Sequence, residues 1–194
     1  MTEYFQKLLT SINDSIEALD YPMFECLLSD VINAERRGNK VVASGLGKNV
    51  PICEKFVGSM TSLGLNASFM HSNTAAHGDI GMVRDGDVVI MLTKSGRTKE
   101  SVYLYDLLKE RDITVWLLTF SKDCPLSEAI PNVLALELDH EGDAWDVLPN
   151  NSTTIYLIIL QAIAVCAAEQ LGVTQAQFAR NHPGGYIGER LRNV

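Results

Sequence analysis

A turn rich in hydroxyl side chains follows a run of apolar residues in the middle of this sequence. The turn reads Thr-Lys-Ser-Gly-Arg-Thr over residues 93–98, and the apolar run is Val88–Leu92. A run without alternation is typical of a strand covered on both faces, and the apolar spacing of residues 102–108 indicates a helix that begins near Thr98. Free backbone N–H groups and the helix dipole favour an anion at such a helix start. The residues predicted to bind a phosphate in this turn are Thr93, Ser95, Gly96, Arg97 and Thr98.

The same turn permits a simpler interpretation. Serine and threonine often cap helices, so Ser95 and Thr98 could serve only as caps. The sequence contains neither the Gly-x-Gly-x-x-Gly pattern of dinucleotide sites nor the Gly-x-x-x-x-Gly-Lys-Ser/Thr pattern of P-loops. Taken alone, this turn leaves phosphate binding and helix capping both open.

A second glycine-rich turn occupies the same kind of position. A strand predicted from Lys40 leads into Ser44-Gly-Leu-Gly-Lys48, and a helix is predicted from about residue 50 to 63. Glycines let the backbone approach a ligand closely, so Ser44, Gly45 and Gly47 are added to the predicted phosphate site. Because ligands of parallel sheets bind beyond the carboxyl ends of the strands, we expect both turns and the acidic loop 139–151 to converge on one cleft.

The order of the predicted elements indicates an α/β fold. Short connections between alternating strands and helices predict one parallel sheet with helices on both faces, in a single domain covering residues 1–194. The predicted strands begin near 40 and cover about 65–70, 88–92, 113–119 and 133–138. The segment 71–81 is predicted as a loop, and a long helix capped by Asn151 or Ser152 is expected to end near Gly172.

Two helices within about residues 2–37 precede the first predicted strand, with a break near Pro22. This is more helix than one sheet face needs, so we expect these helices to contact another subunit. The apolar stripe predicted for the first of them consists of Phe5, Leu8, Leu9, Ile12 and Ile16.

Composition excludes several classes of function. The 194 residues carry a net charge of -8, which argues against a general nucleic-acid binder. The four cysteines form no Cys-x-x-Cys pair, so free thiols in a reducing cytoplasm are expected. The N-terminus has no basic apolar leader, and the apolar run 155–168 is shorter than the ~20 residues that cross a bilayer. A cytoplasmic protein without a membrane partner is therefore predicted.

Several blocks of the sequence occur in the order found in sugar isomerase (SIS) domains. The most specific are Ala75-Ala-His-Gly-Asp79, which continues to Met82, and His182-Pro-Gly-Gly185, which follows Phe178-Ala-Arg-Asn181. The others are Ser44-Gly-Leu-Gly-Lys48, Ser95-Gly96, Pro149 and Ser152-Thr-Thr154. Over about residues 30–192 the chain resembles the SIS domain of arabinose-5-phosphate isomerases.

The resemblance implies a flavodoxin-like three-layer sandwich with a five-stranded parallel sheet. It also implies a sugar-phosphate ligand and a homodimer or homotetramer with sites near the subunit boundaries. The implied reaction interconverts ribulose 5-phosphate and arabinose 5-phosphate through an enediol, with no required cofactor.

Two features depart from the usual pattern of arabinose-5-phosphate isomerases. Arg97 stands where those proteins have a glutamate after Ser-Gly, although the wider SIS pattern Ser-Gly-x-Thr-x-Glu fits Ser95 to Glu100. The regulatory CBS modules that usually follow the SIS domain are absent from this sequence. The first departure puts the substrate in question while leaving the fold and the ligand class in place.

By matching position, the resemblance makes Lys48, Glu141 and His182 the catalytic candidates. Moving a carbonyl between two carbons needs a base and a group that holds the enediolate oxygen. We expect Glu141 to be the base, His182 to move protons at the sugar oxygens, and Lys48 to hold an oxygen. The simpler alternatives are a solvated acidic loop, a turn histidine held by Pro183, and an exposed lysine.

His77 and Arg97 have two interpretations each. His77 falls where the family's histidine contacts metal or substrate; a single histidine is a poor metal site, so an inhibitory or structural divalent metal competes with hydrogen bonding. Arg97 could bind the phosphate or a second acidic group, or point into water. Ser152 lies in a matching motif and is expected to contact the substrate.

Two other functions stay open at this stage. One is a non-catalytic sensor module that binds a phosphosugar for a partner protein. The other is an isomerase for a different sugar phosphate, such as a hexulose 6-phosphate.

Overall fold

A five-stranded parallel sheet forms the centre of the fold, as predicted. A computed structural model describes residues 1–191, so residues 192–194 of the predicted domain lie outside the described residues. Within the described range the strand order is β2-β1-β3-β4-β5, and every neighbouring pair is parallel. The strands are β1 Val41–Gly45, β2 Ala67–His71, β3 Val88–Leu92, β4 Thr114–Thr119 and β5 Asn132–Ala135.

Helices cover both faces of this sheet. In chain order they are α1 Thr2–Glu17, α2 Tyr21–Arg36, α3 Asn49–Ser62, α4 Ser72–Ala75, α5 Lys99–Leu108, α6 Pro125–Ala129, α7 Asn151–Gln170, α8 Gln175–Arg180 and α9 Gly185–Arg190. The prediction of a loop over residues 71–81 was wrong, because this segment contains α4 and a 3₁₀ turn at Asp79–Met82. Both pieces have only four residues, too few to show a helical period.

The central strand β3 explains why the sheet has two covered faces. All five of its residues are buried, and their side chains alternate between two separate apolar cores. Ile90 belongs to the core formed with α2, α3 and α7, while Met91 belongs to the core formed with α5 and α6. Successive side chains of a strand point to opposite faces, so an uninterrupted apolar run is what a doubly covered strand requires.

The long helix α7 lies in the first of these cores. By length and composition it is apolar enough to cross a membrane, with a mean hydropathy of 1.6. More than half of that apolar window is buried inside the fold, as expected of a core helix. The prediction of a core helix for the run 155–168 agrees with this packing.

Helix α1 packs through part of its predicted stripe, because Leu8, Ile12 and Ile16 are partly buried. Phe5 and Leu9 are exposed, whereas Ser11 and Ser15 are buried. The two serine hydroxyls donate hydrogen bonds to backbone carbonyls in the segment after β5, at 3.3 Å to His140 and 2.6 Å to Glu137. This segment continues past the last ladder of the sheet and needs donors for its carbonyl groups, which is why hydroxyl side chains face it.

Candidate active site

The two predicted turns lie side by side at the carboxyl edge of the sheet. Strands β1 and β3 are direct neighbours, with Gly45 opposite Leu92. The side-chain amide of Asn49, at the start of α3, donates a 3.2 Å hydrogen bond to the Leu92 carbonyl and so ties the second turn to the first. The chain order reverses between β1 and β3, the position where sheets of this type bind ligands.

Both helices that begin at these turns have N-termini without a side-chain cap. Lys48 precedes α3 and Thr98 precedes α5, and neither side chain accepts a cap hydrogen bond. Ser95 Oγ instead accepts a bond from the Arg97 N–H at 3.3 Å, within the turn. The capping alternative therefore loses its support, and two helix N-termini face one cleft as an anion site requires.

Gly96 determines the shape of the turn over residues 93–98. Its φ of 60° lies in the left-handed region, and a Cβ at this position would overlap the Sγ atom of Cys124. The Gly96 N–H donates to Thr93 Oγ1 at 3.3 Å. Only glycine satisfies both the backbone angle and the close approach.

Two of the predicted phosphate ligands form the floor of the cleft rather than its surface. Ser44 and Thr93 are both buried. The Ser44 hydroxyl is 3.1 Å from that of Ser72, and Thr93 Oγ1 is occupied by the Gly96 N–H. The surface above this floor is formed by Gly47, Lys48, Ser95 and Thr98, of which the first three are exposed.

Glu141 is the buried charge beside this cleft. Its side chain has no exposed surface, and each carboxylate oxygen accepts two hydrogen bonds. Oε1 accepts from Lys94 Nζ at 2.6 Å and from Ser152 Oγ at 2.7 Å, while Oε2 accepts from the backbone N–H groups of Asn150 and Ser152, both at 3.0 Å. Glu141 therefore binds the N-terminus of α7.

The predicted cap of α7 was wrong. The N-cap residue is Asn150, whose side chain forms no cap bond, and Ser152 lies inside the first turn. Ser152 is buried and directed at Glu141. A carboxylate from the preceding loop takes the place of a side-chain cap, as the positive end of a helix favours.

The environment of Glu141 keeps it ionised. Burial by itself would raise the pKa of this carboxyl, but the hydrogen bonds from Lys94, Ser152 and Asn150 outweigh burial and leave the pKa below its ordinary value. From the sequence, Glu141 was predicted to be a partly desolvated base. The structure instead shows a fully buried anion that already has all its acceptor positions filled.

Comparison with known proteins agrees with this geometry. The SIS domain family matches residues 36–165, about two thirds of the chain. The chain belongs to the SIS domain family. The resemblance predicted from the sequence is thereby confirmed.

Individual relatives give the comparison more detail. The SIS domain is 36% identical over 152 residues to the arabinose 5-phosphate isomerase KdsD of Pseudomonas aeruginosa, covering 78% of this chain and 47% of that protein. It is 34% identical over 154 residues to the arabinose 5-phosphate isomerase GutQ of Escherichia coli K12, covering 79% and 48%. The chain thus spans about half the length of the curated relatives it matches.

A solved structure covers the SIS domain more completely. It is that of c3406 from E. coli CFT073 in complex with arabinose 5-phosphate, which superposes with a TM-score of 0.86 at 28% identity. The superposition covers 94% of this chain and 95% of the other.

Three further predicted residues follow the strands β1, β2 and β3 at the carboxyl edge of the sheet. Lys48 is exposed at the start of α3, and His77 is exposed in the segment after β2. The Arg97 guanidinium donates to the backbone carbonyl of Asp123, so it is held against the loop after β4. Across residues 1–191, no three histidine, cysteine or acidic side chains come together as metal ligands.

His182 is not brought to this cleft within one chain. Its Nε2 atom is 2.7 Å from Ser62 Oγ at the last residue of α3, and its ring stacks on Phe178. Since α3 has 14 residues, its two ends are about 20 Å apart, with Lys48 at one and His182 at the other. The reason is the direction of α7, which starts at the cleft and carries the chain to the opposite edge of the sheet.

Five cavities of the SIS domain lie away from the two turns. Of five cavities of about 200–300 Å³ on the described residues, none is lined by Ser44, Lys48 or Ser95. Three of them surround α8 and the end of α3.

One residue of the site was missed by the sequence analysis. Lys94 lies within the predicted phosphate turn, and its side chain joins that turn to Glu141. A cation between two hydroxyl residues was the available signal. Its partner, 47 residues away, carries no local signal at all.

Proposed function

We propose that this chain is a phosphosugar aldose–ketose isomerase that interconverts ribulose 5-phosphate and arabinose 5-phosphate. The proposal rests on one observation: two helix N-termini without side-chain caps lie beside one buried carboxylate, where the chain order reverses between β1 and β3. The first feature suits a phosphate group, and the second suits proton transfer. Further support comes from relatives named arabinose 5-phosphate isomerases and from the related structure that holds arabinose 5-phosphate.

In the proposed reaction Glu141 takes a proton from C1 of ribulose 5-phosphate. The electron pair of the broken C–H bond forms the C1=C2 bond, and the former carbonyl oxygen at C2 takes the negative charge. The Lys48 ammonium would stabilise that charge. His182 would move a proton from the C1 oxygen to the C2 oxygen, and Glu141 would return its proton to C2, which leaves the carbonyl at C1. These steps need no cofactor.

The proposed role of His182 requires a second copy of the chain. Because α7 ends at the edge of the sheet opposite the cleft, the His182 segment can serve only the cleft of a neighbouring subunit. Large apolar side chains are exposed on this segment and on α7, namely Tyr186, Ile187, Ile158 and Val165. Such surfaces are typical of contacts between subunits. A homodimer or homotetramer therefore belongs to the proposal.

The direct test is incubation with ribulose 5-phosphate in D₂O, followed by NMR. We expect arabinose 5-phosphate to form with deuterium at C2. Replacement Glu141→Gln should lower kcat by about 100-fold or more, the usual contribution of a general base, and His182→Ala should act in the same direction. Full turnover by either variant would remove that residue from the mechanism.

A sugar-phosphate sensor is the second candidate, favoured by Arg97. A cation stands at the position of the family's glutamate, and its guanidinium is fixed to the Asp123 carbonyl. Thermal stabilisation by sugar phosphates without deuterium exchange would select the sensor. A panel of pentose and hexose phosphates, including a hexulose 6-phosphate, tests a different substrate in the same experiment.

Two predictions from the sequence stay predictions. A divalent metal at His77 would inhibit or stabilise the protein, and metal titration of the wild type against His77→Ala tests this. The cytoplasmic location is the other.

A further inference from the structure

The cleft contains a cation that the proposed reaction does not use. Lys94 belongs to the turn between β3 and α5, directly before Ser95. Its ammonium is 2.6 Å from Oε1 of Glu141. The two side chains differ in exposure: 44% for Lys94 and 0% for Glu141. The lysine thus lies between solvent, the phosphate turn and the buried carboxylate.

Glu141 cannot accept a further proton donor while Lys94 is bound to it. An ionised carboxylate has about four acceptor positions, and four donors occupy them here. Two of the donors are backbone N–H groups at the start of α7, and a third is the buried Ser152 hydroxyl. Only Lys94, a half-exposed ammonium on a flexible four-carbon stem, is free to leave.

The other ionisable groups around Glu141 are already engaged. Tyr156 faces it from α7, and its hydroxyl donates to the Leu118 carbonyl at 3.1 Å. Asp146 accepts a 2.6 Å bond from the Glu141 N–H, and His140 accepts one from the Gly142 N–H. Lys7 of α1 faces this loop at 3.5 Å from His140. None of these bonds has to break for Lys94 to move.

We propose that a phosphate group bound at the Ser95–Thr98 turn draws the Lys94 ammonium away from Glu141 and so frees one carboxylate oxygen for proton transfer. Lys94 is then a positioning residue that couples phosphate binding to the base. A phosphate at this turn lies beside the backbone of Lys94 and carries more negative charge than one carboxylate, so it competes for the ammonium. The assignment of Glu141 as base rests on the proposed function.

The coupling predicts a preference that binding alone would not produce. A sugar without a phosphate would leave Lys94 on Glu141, and the base would stay occupied. Lys94→Met should therefore lower kcat/KM for the sugar phosphate while narrowing the ratio of kcat/KM between the phosphorylated and unphosphorylated sugars. Coupling is reciprocal, so protonation of Glu141 must also change the affinity of the turn for a dianion.

The test follows the titration of the Glu141 carboxyl by ¹³C NMR, in the 194-residue chain labelled at glutamate side chains. The signal is assigned with Glu141→Gln and titrated between about pH 3 and pH 7, which brackets ordinary glutamate values. Inorganic sulfate is the probe, because it stays dianionic over this range, and chloride at equal ionic strength is the reference. In the wild type, sulfate should raise the proton affinity of Glu141 about tenfold, within the usual range for coupled sites.

Three variants make the result specific. Without sulfate, the Glu141 carboxyl of Lys94→Met should titrate at a higher pH than that of the wild type. Sulfate should then shift this titration less in Lys94→Met, whereas Lys94→Arg should keep most of the wild-type shift. Lys122→Met is the matched control, since Lys122 forms an exposed pair with Glu137 at 3.1 Å and should behave like the wild type. An unchanged Glu141 titration in sulfate, or an equal response in Lys94→Met, would overturn the proposal.

This outcome is separable from failure of the proposed function. The NMR titration needs no turnover, so a sensor with a working Lys94 would still show the sulfate response. If the protein is an active isomerase but sulfate does not change the Glu141 titration, the proposed function stands and the coupling is excluded. Thermal melting of Lys94→Met and Lys94→Arg identifies any loss of folding, and Lys94→Arg carries the test if Lys94→Met does not fold.

Discussion

A single buried carboxylate determines the chemistry available at the residue scale. Removing a carboxylate from water costs several kcal/mol, and hydrogen bonds to a charged group each return about 1.5–3 kcal/mol. Four such bonds offset the cost at Glu141 and keep it ionised. The same bonds that stabilise the anion also weaken it as a base. A carboxylate held in this way has to lose a donor before it can take a proton from another group.

Gly96 supports a prediction at the scale of one residue. Gly96→Ala would place a methyl group against Cys124 Sγ and force alanine to a φ of 60°. Left-handed backbone costs roughly 1–2 kcal/mol for an L residue, and the overlap adds to that. We expect a lower free energy of unfolding in urea and weaker sulfate binding by calorimetry.

A second glycine provides the control for this substitution. Gly58 lies in α3, and a Cβ there meets no atom within 4 Å. Gly58→Ala should stabilise the helix by about 0.5–1 kcal/mol and leave sulfate binding unchanged. If Gly96→Ala bound sulfate as the wild type does, the turn would not be the anion site.

Residues adjacent in sequence were predictable, and residues adjacent only in space were not. The Ser95–Thr98 turn is contiguous, so its place between a strand and a helix could be predicted from residue types. The pairing of Lys94 with Glu141 joins two residues that are separated in the sequence by α5, β4, α6 and β5. The location of His182 depends on the length and direction of α7, which motif order does not contain.

At the scale of elements, the register of the two central strands depends on Asp87. This buried residue precedes β3, and its carboxylate accepts bonds from the N–H groups of Lys40, at 3.0 Å, and Arg84, at 2.8 Å. The Lys40 ammonium is 3.2 Å away. Asp87 thus joins the start of β1 to the start of β3, the two strands whose ends form the cleft.

Asp87→Asn should lower the free energy of unfolding at pH 7 by about 2 kcal/mol, because it removes the negative charge to which Lys40 and Arg84 donate hydrogen bonds. Burial by itself would raise the pKa of Asp87, but the bonds from Arg84 and Lys40 outweigh burial and lower it. A carboxyl with a lowered pKa stabilises the fold above its unfolded pKa of about 4, and that contribution is lost as the pH falls through the folded pKa.

The difference between wild type and Asp87→Asn should therefore shrink as the pH drops below about 4. Urea unfolding followed by circular dichroism across this range measures it. Asp106→Asn, at an exposed pair on α5, should cost less than about 1 kcal/mol at any pH. A constant difference for Asp87→Asn at all pH values would contradict the ion-pair explanation.

Element prediction succeeded where residues had a long periodic signal. The helices α2, α3, α5 and α7 run for enough residues to show one, and the buried strands β1 and β3 show an uninterrupted apolar run instead. Helix α6 is only five residues long, with Cys124 as an unusual capping residue, and α9 begins at a glycine. In α1 the apolar period was present, and Ile12 and Ile16 of the predicted stripe pack against the core. Ser11 and Ser15 share this inward face because their hydroxyls bond to backbone carbonyls, which apolar spacing does not predict.

At the scale of the whole molecule, large apolar side chains are exposed near the loop that contains Glu141. Phe5 and Leu9 of α1 and Trp145 of the loop after Glu141 are exposed, and Trp145 has 82% of its surface accessible. Lys7 of α1 lies beside His140, so both groups flank the segment that carries Glu141. Apolar side chains at this position fit a subunit contact near the cleft.

Mixed oligomers test whether the His182 segment serves the neighbouring cleft. Lys48→Met damages the cleft and keeps His182, whereas His182→Ala keeps the cleft. Each variant alone should be nearly inactive. After refolding together in equal amounts, a site works only when its cleft comes from the His182→Ala chain and its histidine from the other, which random pairing gives in about a quarter of sites.

Activity of the mixture should therefore recover to about a quarter of the wild-type value, measured as arabinose 5-phosphate formed per subunit. A mixture of Lys48→Met with Glu141→Gln is the control, because both chains then have a damaged cleft and no pairing restores one. Recovery in this control would indicate general stabilisation by mixing. No recovery in the first mixture, with mixed oligomers present by native mass spectrometry, would mean that His182 acts within its own chain. Full activity of His182→Ala alone would mean that His182 has no part in the reaction.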